Sequence, residues 1–339
     1  MFQRILVPLD GSERAERAIS VAAHLAKASG GSITLLRVVA SPIDFTSQTA
    51  ESPMPVQEAP SVKQARAADY LERIAASDIL SGVTTTTEVC QGMPAQAILS
   101  TARSVHTDII IMCSRGYTGM MRLMLGSVAE KVAFHAPIPV LILRDPNSLS
   151  TGTSPDAANQ LRALVALDGS TLSEEAINAA ANLVAGLADS AQGALHLLQV
   201  ITAESVSSQT KELDKSEEVL KAERYLSSTV DRLREGQVAP AVVDFKLPVT
   251  WSVVLGEDVA SALVKVAESG EEAEEAGKSG GFNIIVMATH GFGGVQRWVM
   301  GSVTEHVLKG TRLPVLIVRP LDILERSNFT WDNAILFAI

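Results

Sequence analysis

The segment Ile109 to Arg144, IIIMCSRGYTGMMRLMLGSVAEKVAFHAPIPVLILR, returns later in the chain as Ile284 to Arg319, IIVMATHGFGGVQRWVMGSVTEHVLKGTRLPVLIVR. Each copy reads as a buried strand, a glycine-bearing loop, a helix entered through Gly-Ser, and a second buried strand. The glycine pairs Gly116/Gly126 and Gly291/Gly301 are equally spaced. Glycines let backbone approach a ligand closely, and free amides at a helix start, with the helix dipole, favour a negatively charged group such as phosphate. Gly126-Ser127 and Gly301-Ser302 would supply those amides and a hydroxyl. A single pair of glycines would suggest only tight turns; repetition after an apolar strand favours a binding element.

The rest of the chain alternates strand and helix around this element. Arg4 to Leu9 is a short apolar run, and Asp10-Gly11-Ser12 follows it, with Ser12 suited to cap a helix beginning at Glu13. Ala15, Ala18, Ile19, Ala22, Leu25 and Ala26 recur at helical spacing before Gly30-Gly31 ends the helix. A strand from Ser32 to Val39 leads into a Pro- and Ser-rich loop reaching about Pro60. A helix over Val62 to Ala76, a β-branched strand over Val83 to Cys90, and a helix opened by Gly92-Met93-Pro94 follow. All the strands but the third are apolar enough to be covered on both faces, which predicts a parallel sheet flanked by helices.

The pattern then restarts. LRALVALDGS (Leu161 to Ser170) repeats QRILVPLDGS, and LHLLQVI (Leu195 to Ile201) repeats ITLLRVV. The offset between equivalent positions is 158 at Asp10 and Asp168, 162 at Val38 and Val200, 164 at Gly92 and Gly256, and 175 at Gly126 and Gly301. The largest jump falls on ESGEEAEEAGKSGG, residues 268–281, which reads as an acidic, solvated insertion. The expected organisation is therefore a domain at 1–145, a linker at 146–160, a second domain at 161–320 and a tail at 321–339. The tail's apolar residues, among them Phe329, Trp331, Ile335, Leu336 and Phe337, are expected to pack on the protein or on a neighbouring subunit.

Bulk properties exclude several functions. The net charge of -10 argues against nucleic acid as a partner, which calls for a basic face. No apolar run reaches the roughly 18 residues that span a bilayer, so no membrane partner is expected. MFQRILVPLDGSE lacks the basic stretch and apolar core of a secretion signal. Cys90 and Cys113 both fall at predicted strand ends, where cysteine behaves as a small apolar residue, and a reducing, cytoplasmic setting fits them. His24, His106, His135, His196 and His306 stand at neither metal-site nor triad spacing, so no metal site is expected.

These residues resemble the universal stress protein family, as a tandem of two such domains over about Gln3 to Arg144 and Arg162 to Arg319. The resemblance rests on strand-PLDGS, on the turn Gly92 to Pro94, and on G-x(9)-G-S-V-x-E followed by P-V-L-I. It implies two open α/β sheets of Rossmann-like form, five parallel strands each in the order 3-2-1-4-5, with helices on both faces. It also implies an adenine nucleotide (ATP, ADP or AMP) at the carboxyl ends of the strands, with Mg entering only alongside the nucleotide. In the first half, the implied site runs from Pro8, Leu9 and Asp10 to Val38, then Met112, Cys113, Arg115 and Gly116, and ends at Gly126, Ser127 and Val128. In the second it comprises Ala166, Leu167, Asp168, Val200, Met287, Ala288, His290, Gly291, Gly301, Ser302 and Val303. The aspartates and Val38 or Val200 would meet adenine. Family members commonly dimerise through the last strand, so PVLIL (Pro139 to Leu143) and PVLIV (Pro314 to Val318) are expected to meet within one chain as a pseudo-dimer; a homodimer is a further option.

The chain departs from the family's phosphate pattern at its first glycine, replaced by Cys113 and Ala288, each of which adds a Cβ near the ligand path. The second half also has Ala166 for Pro8, Gly256-Glu257-Asp258 for Gly92-Met93-Pro94, and His290 for Arg115. Carboxylates facing the pocket would repel a polyphosphate, and a guanidinium suits phosphate better than a mostly neutral imidazole. The first half is accordingly the better nucleotide site. The leading expectation is a regulatory nucleotide-binding protein, not an enzyme. The competing readings are a scaffold that acts through protein contacts without nucleotide, and a weak ATP hydrolase or autophosphorylating protein. For the last, the chain lacks a G-x-x-x-x-G-K-[ST] element.

Overall fold

The computed structural model describes residues 1–39, 59–114, 125–144, 149, 160–188, 193–202, 213–270, 281–289, 300–320, 331, 332, 335 and 338. Strand β1 (Arg4–Leu9) is followed by helix α1 (Glu13–Ser29), β2 (Ser32–Val39), α2 (Pro60–Ala75), β3 (Thr84–Gln91), α3 (Pro94–Ser104), β4 (Ile109–Cys113), α4 (Ser127–His135) and β5 (Val140–Leu143). The second half runs β6 (Leu161–Leu167), α5 (Thr171–Leu187), β7 (Gly193–Thr202), α6 (Leu213–Arg234), α7 (Pro240–Asp244), β8 (Val249–Gly256), α8 (Val259–Ser269), β9 (Ile284–Ala288), α9 (Ser302–Gly310) and β10 (Val315–Val318).

Local chemistry sets the element ends as expected. The Ser12 hydroxyl accepts from the Ala15 amide at 3.2 Å, capping α1, and Gly30 closes that helix at φ +65°, where a side chain would be strained. Proline begins α2 and α3, where its missing N–H costs nothing.

Each half carries the order 3-2-1-4-5, but the two halves do not form separate sheets. They join in one ten-stranded sheet, β3-β2-β1-β4-β5-β10-β9-β6-β7-β8. Pairing is parallel within each half and antiparallel at the join, where Val140, Leu141 and Ile142 face Ile317, Leu316 and Val315. The two last strands therefore cover each other's hydrogen-bonding edges. Alternation along the strands feeds two cores. Ile5 and Val7 enter the core under α1, α2, α5 and α6, while Leu6 enters the one under α3, α4, α8 and α9. β3, the polar third strand, lies at an outer edge and is largely exposed.

Side chains reinforce the join. Lys309 Nζ lies 2.6 Å from Glu305 Oε1 on its own helix and 3.5 Å from Glu130 Oε1 on α4. The Arg319 guanidinium donates to the Phe134 carbonyl near the C-terminus of α4, where a cation complements the helix dipole. Burial pushes this arginine's pKa down to about 10. On the other face α1 and α5 approach so closely that a Cβ at Gly186 would stand 2.6 Å from Leu25 Cδ2.

Two peripheral expectations resolve differently. Glu268, the first residue of the acidic stretch, is still helical, and its Oε1 accepts from the Arg312 amide at 2.7 Å and the Thr311 hydroxyl at 3.2 Å; residues 271–280 lie outside the described residues. In the tail, Trp331 and Ile335 pack on the second core and Ala338 is buried, whereas Phe329, Leu336 and Phe337 lie outside the described residues.

Candidate functional site

Strand β1 is where the winding reverses: the chain leaves it for β2 on one side and reaches β4, on its other side, only after three crossovers. Ligands in open α/β sheets lodge at such a switch point. Here it opens into a cavity of about 290 Å³. Nine of the expected first-half positions line it: Pro8, Leu9, Asp10, Val38, Met112, Cys113, Gly126, Ser127 and Val128. Arg115 and Gly116 lie outside the described residues, as do His290 and Gly291 of the second half.

Asp10 has a structural task beside any ligand role. Its Oδ1 accepts from the Ser12 amide at 3.0 Å and the Ser12 hydroxyl at 2.6 Å, closing the Asp-Gly-Ser turn, and Gly11 takes φ +81° to permit it. Asp168 does the same with Ser170, at 3.0 and 2.6 Å. The turn is thus a device of the repeat, and Asp10 lines the cavity as part of it.

The helix entrance differs from expectation in one respect. The Gly126 amide is not free: it donates to the Ser114 carbonyl at 2.7 Å, and the Gly301 amide donates to Thr289 at 2.8 Å. The donors that remain are one residue further on. The amides of Ser127, Val128 and Ala129 open α4, no side chain caps that helix, and among the described residues none of the three amides has an acceptor. All three residues line the cavity, and Ser127 is exposed.

Cys113, where the pattern has glycine, directs its thiol away from these amides, donating to the Arg14 carbonyl at 2.9 Å. Burial pushes the thiol's pKa up to about 11, so it stays protonated and unreactive at neutral pH.

Sequence reasoning missed several lining residues: Ala15, Leu36, Pro94, Ile98, Ser114 and Ala129. Leu36 and Ile98 carried a signal, since both are apolar and lie two positions before Val38 and four after Pro94. It also missed Arg37, whose Nη1 donates to the Leu9 carbonyl at 3.2 Å while its guanidinium lies over Tyr70, 5.9 Å from the ring centre. Tyr70 in turn donates to Glu16 Oε1 at 2.9 Å, and burial with this carboxylate raises the phenol well above its ordinary range.

In the second half Ala166 pairs with Met287 and Leu167 with Gln199, so β6 likewise has β9 on one side and β7 on the other towards its carboxyl end. Ala288 is buried, and its carbonyl accepts from the Thr304 hydroxyl at 3.1 Å. Gly256 lies against Val200: a Cβ there would stand 3.3 Å from the valine side chain. Asp258 is the N-cap of α8, its Oδ2 accepting from the Ser261 amide at 2.7 Å, and hydrogen bonds from Ser261 hold its carboxyl below the usual range. Ser302 is exposed and Val303 half-buried at the start of α9, directly after Gly301, while Asp168 and Val200 hold the sequence places of Asp10 and Val38.

A family model described as the universal stress protein family matches residues 1–144 and again 161–319. The chain belongs to the universal stress protein family. Universal stress protein YxiE of Bacillus subtilis is 32% identical over 148 residues, which covers 42% of this chain and all of that one. A universal stress protein of Mycolicibacterium smegmatis is 24% identical over 323 residues, 93% of this chain and 97% of the relative, so the tandem arrangement recurs there. Among solved structures, a universal stress protein of Archaeoglobus fulgidus covers 93% of this chain and 98% of its own, with 22% identity and a TM-score of 0.57. Among the described residues, no helix of this universal stress protein is long and apolar enough to cross a membrane, and no His/Cys/Asp/Glu cluster could hold a metal ion.

Proposed function

We propose that the first domain of this universal stress protein binds an adenine nucleotide, with ATP, ADP and AMP as the candidates, and that occupancy is regulatory rather than catalytic. In this reading adenine rests near Val38 and Asp10, and the phosphates reach the Ser127 and Val128 amides and the Ser127 hydroxyl. Mg accompanies the nucleotide, held by its phosphates. The observation that carries the reading is the set of unpaired amides opening onto a cavity at the switch point. Its volume, about 290 Å³, is near the lower bound for small-molecule sites.

The reading extends to organisation. The repeats act as two nucleotide-type domains, 1–145 and 161–320, joined by 146–160, with the second the weaker site because Glu257 and Asp258 stand where the first has Met93 and Pro94, and His290 where it has Arg115. Two free cysteines suit a reducing, cytoplasmic setting. The test is to denature the freshly purified chain and analyse the released small molecules. Adenine nucleotide near one equivalent per chain supports the proposal; a clean extract together with no change in melting temperature on adding ATP contradicts it.

One observation favours a second reading, a scaffold without ligand: Cys113 fills the first-glycine position and is fixed by its bond to Arg14. Under it, the wild-type chain binds no ATP, whereas Cys113→Gly with Ala288→Gly does.

A further inference from the structure

The ten-stranded sheet ends in β3 on one side and β8 on the other, and among the described residues neither has a strand on its outer side. The two strands hold the same place in their domains: Leu35 pairs with Thr87, and Leu197, its equivalent, pairs with Trp251. Their side chains differ. β3 reads TTTTEVCQ and β8 reads VTWSVVLG. Trp251 stands where β3 has Thr87, Ser252 where it has Glu88, and Leu255 where it has Gln91.

A bare strand edge invites pairing with another chain, and proteins blunt such edges with charge, proline or a covering element. β3 carries Glu88 and a run of threonines. β8 has neither a charged residue nor a proline over Val249–Gly256. Leu255 is 59% exposed, more than any other large apolar side chain among the described residues, and Val243 and Phe245, in the approach to the strand, are exposed as well. Because β3 fills the equivalent place with polar residues, the fold does not require an apolar edge here.

Charge selects what pairs there. Lys246 precedes β8 and Glu257 follows it, both exposed, while Asp244 stands further back in α7. Two copies of β8 running antiparallel bring the basic approach of each strand towards the acidic exit of the other, whereas parallel addition would set like charges together. The faces agree too. Val249, Trp251 and Val253 turn to the core under α5 and α6, and Val254 to the opposite one. A two-fold antiparallel pair keeps like faces together only when it centres on a residue. With Val253 at the centre, Leu255 of each copy lies directly opposite the partner's Trp251, an aromatic–aliphatic cross-strand pair. The chain already closes its two inner edges in this manner, with β5 antiparallel to β10.

We propose that β8 is a dimerisation edge, where a second copy of this chain adds by antiparallel, two-fold pairing of β8 with β8 and continues the sheet across the axis. Such an interface is isologous, so it closes at two copies and leaves β3 as the outer edge of each. It needs no nucleotide in either domain.

The test is sedimentation velocity of the full chain over a range of concentrations, with Leu255→Lys alongside. Leu255 is exposed, so the variant should fold, and its melting curve checks this. The expected result is a reversible dimer in the wild type, with a dissociation constant raised about tenfold or more in Leu255→Lys, whose charge would be buried without a partner. Lys246→Glu should weaken the dimer as well, and adding Glu257→Lys should restore it; no restoration overturns the antiparallel arrangement. Hydrogen exchange gives the location: amides of β8 should gain protection as concentration rises, and those of β3 should not. A dimer that Leu255→Lys leaves intact overturns the proposal. So does a monomeric wild type, which would leave the edge to an extended segment of a different protein, and so does growth beyond dimers, which would mean that β8 meets β3 head to tail.

Discussion

The Gly126 amide donates to the Ser114 carbonyl at 2.7 Å, tying the entrance of α4 to the end of β4. The same bond joins Gly301 to Thr289 at 2.8 Å in the second domain. Its effect is to fix the direction in which each helix leaves the sheet while using up one amide of the four that a helix start leaves over. In the first domain the next three amides belong to residues that line the crevice, and among the described residues none of them has an acceptor.

The seam between the domains should behave as hydrophobic core. Leu141 and Leu316 are fully buried register partners across the antiparallel join. Leu141→Ala and Leu316→Ala should each cost about 2–5 kcal/mol. A double-mutant cycle should return a coupling of about 0.5–3 kcal/mol, measured by urea denaturation. Strict additivity would mean that the two strands do not support each other.

Acid should act partly through Asp108. Burial raises its carboxyl, but bonds from the Arg4 guanidinium at 2.7 Å and from the Gln3 and Arg4 amides at 3.0 and 2.9 Å outweigh burial and leave it below the usual value. A depressed folded pKa contributes stability that is complete above the unfolded value, about 4 for a carboxylate, and is lost as pH falls through the folded one. Asp108→Asn should therefore lower stability at neutral pH and flatten its decline in acid, read from urea midpoints across that range.

Much of this architecture was legible because it is local. Asp10-Gly11-Ser12 encodes its own turn and helix cap, and the apolar runs around Ile109 and Val140 could only be strands covered on both faces. Their duplication marked two equivalent halves, while the strand order within each and the meeting of the last strands followed from the resemblance to the family. What escaped depends on partners distant in sequence. That the Gly126 amide would be taken by Ser114 follows from how β4 ends. Arg37 reaches Leu9 only because β2 runs in register beside β1. No pattern in the tail says that it will cross to the other domain.

That crossing makes a prediction of its own. Gln96 Nε2 donates to the Ile335 carbonyl at 3.0 Å, Arg103 pairs with Asp332, and Trp331, Ile335 and Ala338 join the core beneath α3. Removing residues 331–339 should lower stability by about 2–4 kcal/mol from the apolar area exposed. Hydrogen exchange should quicken first in α3, the helix that carries Pro94 and Ile98 into the crevice.

The central claim concerns one amide. Ser127 is the first helical residue, and Gly126 before it is extended, at φ -70° and ψ 146°, so proline fits at 127 while removing the N–H. Calorimetric titration of nucleotide-stripped chain with ATP should show binding by the wild type and by Ser127→Ala. Ser127→Pro, with its melting temperature nearly unchanged, should bind about tenfold or more weakly, the worth of a hydrogen bond to a charged group. Undiminished ATP affinity in Ser127→Pro would contradict the account.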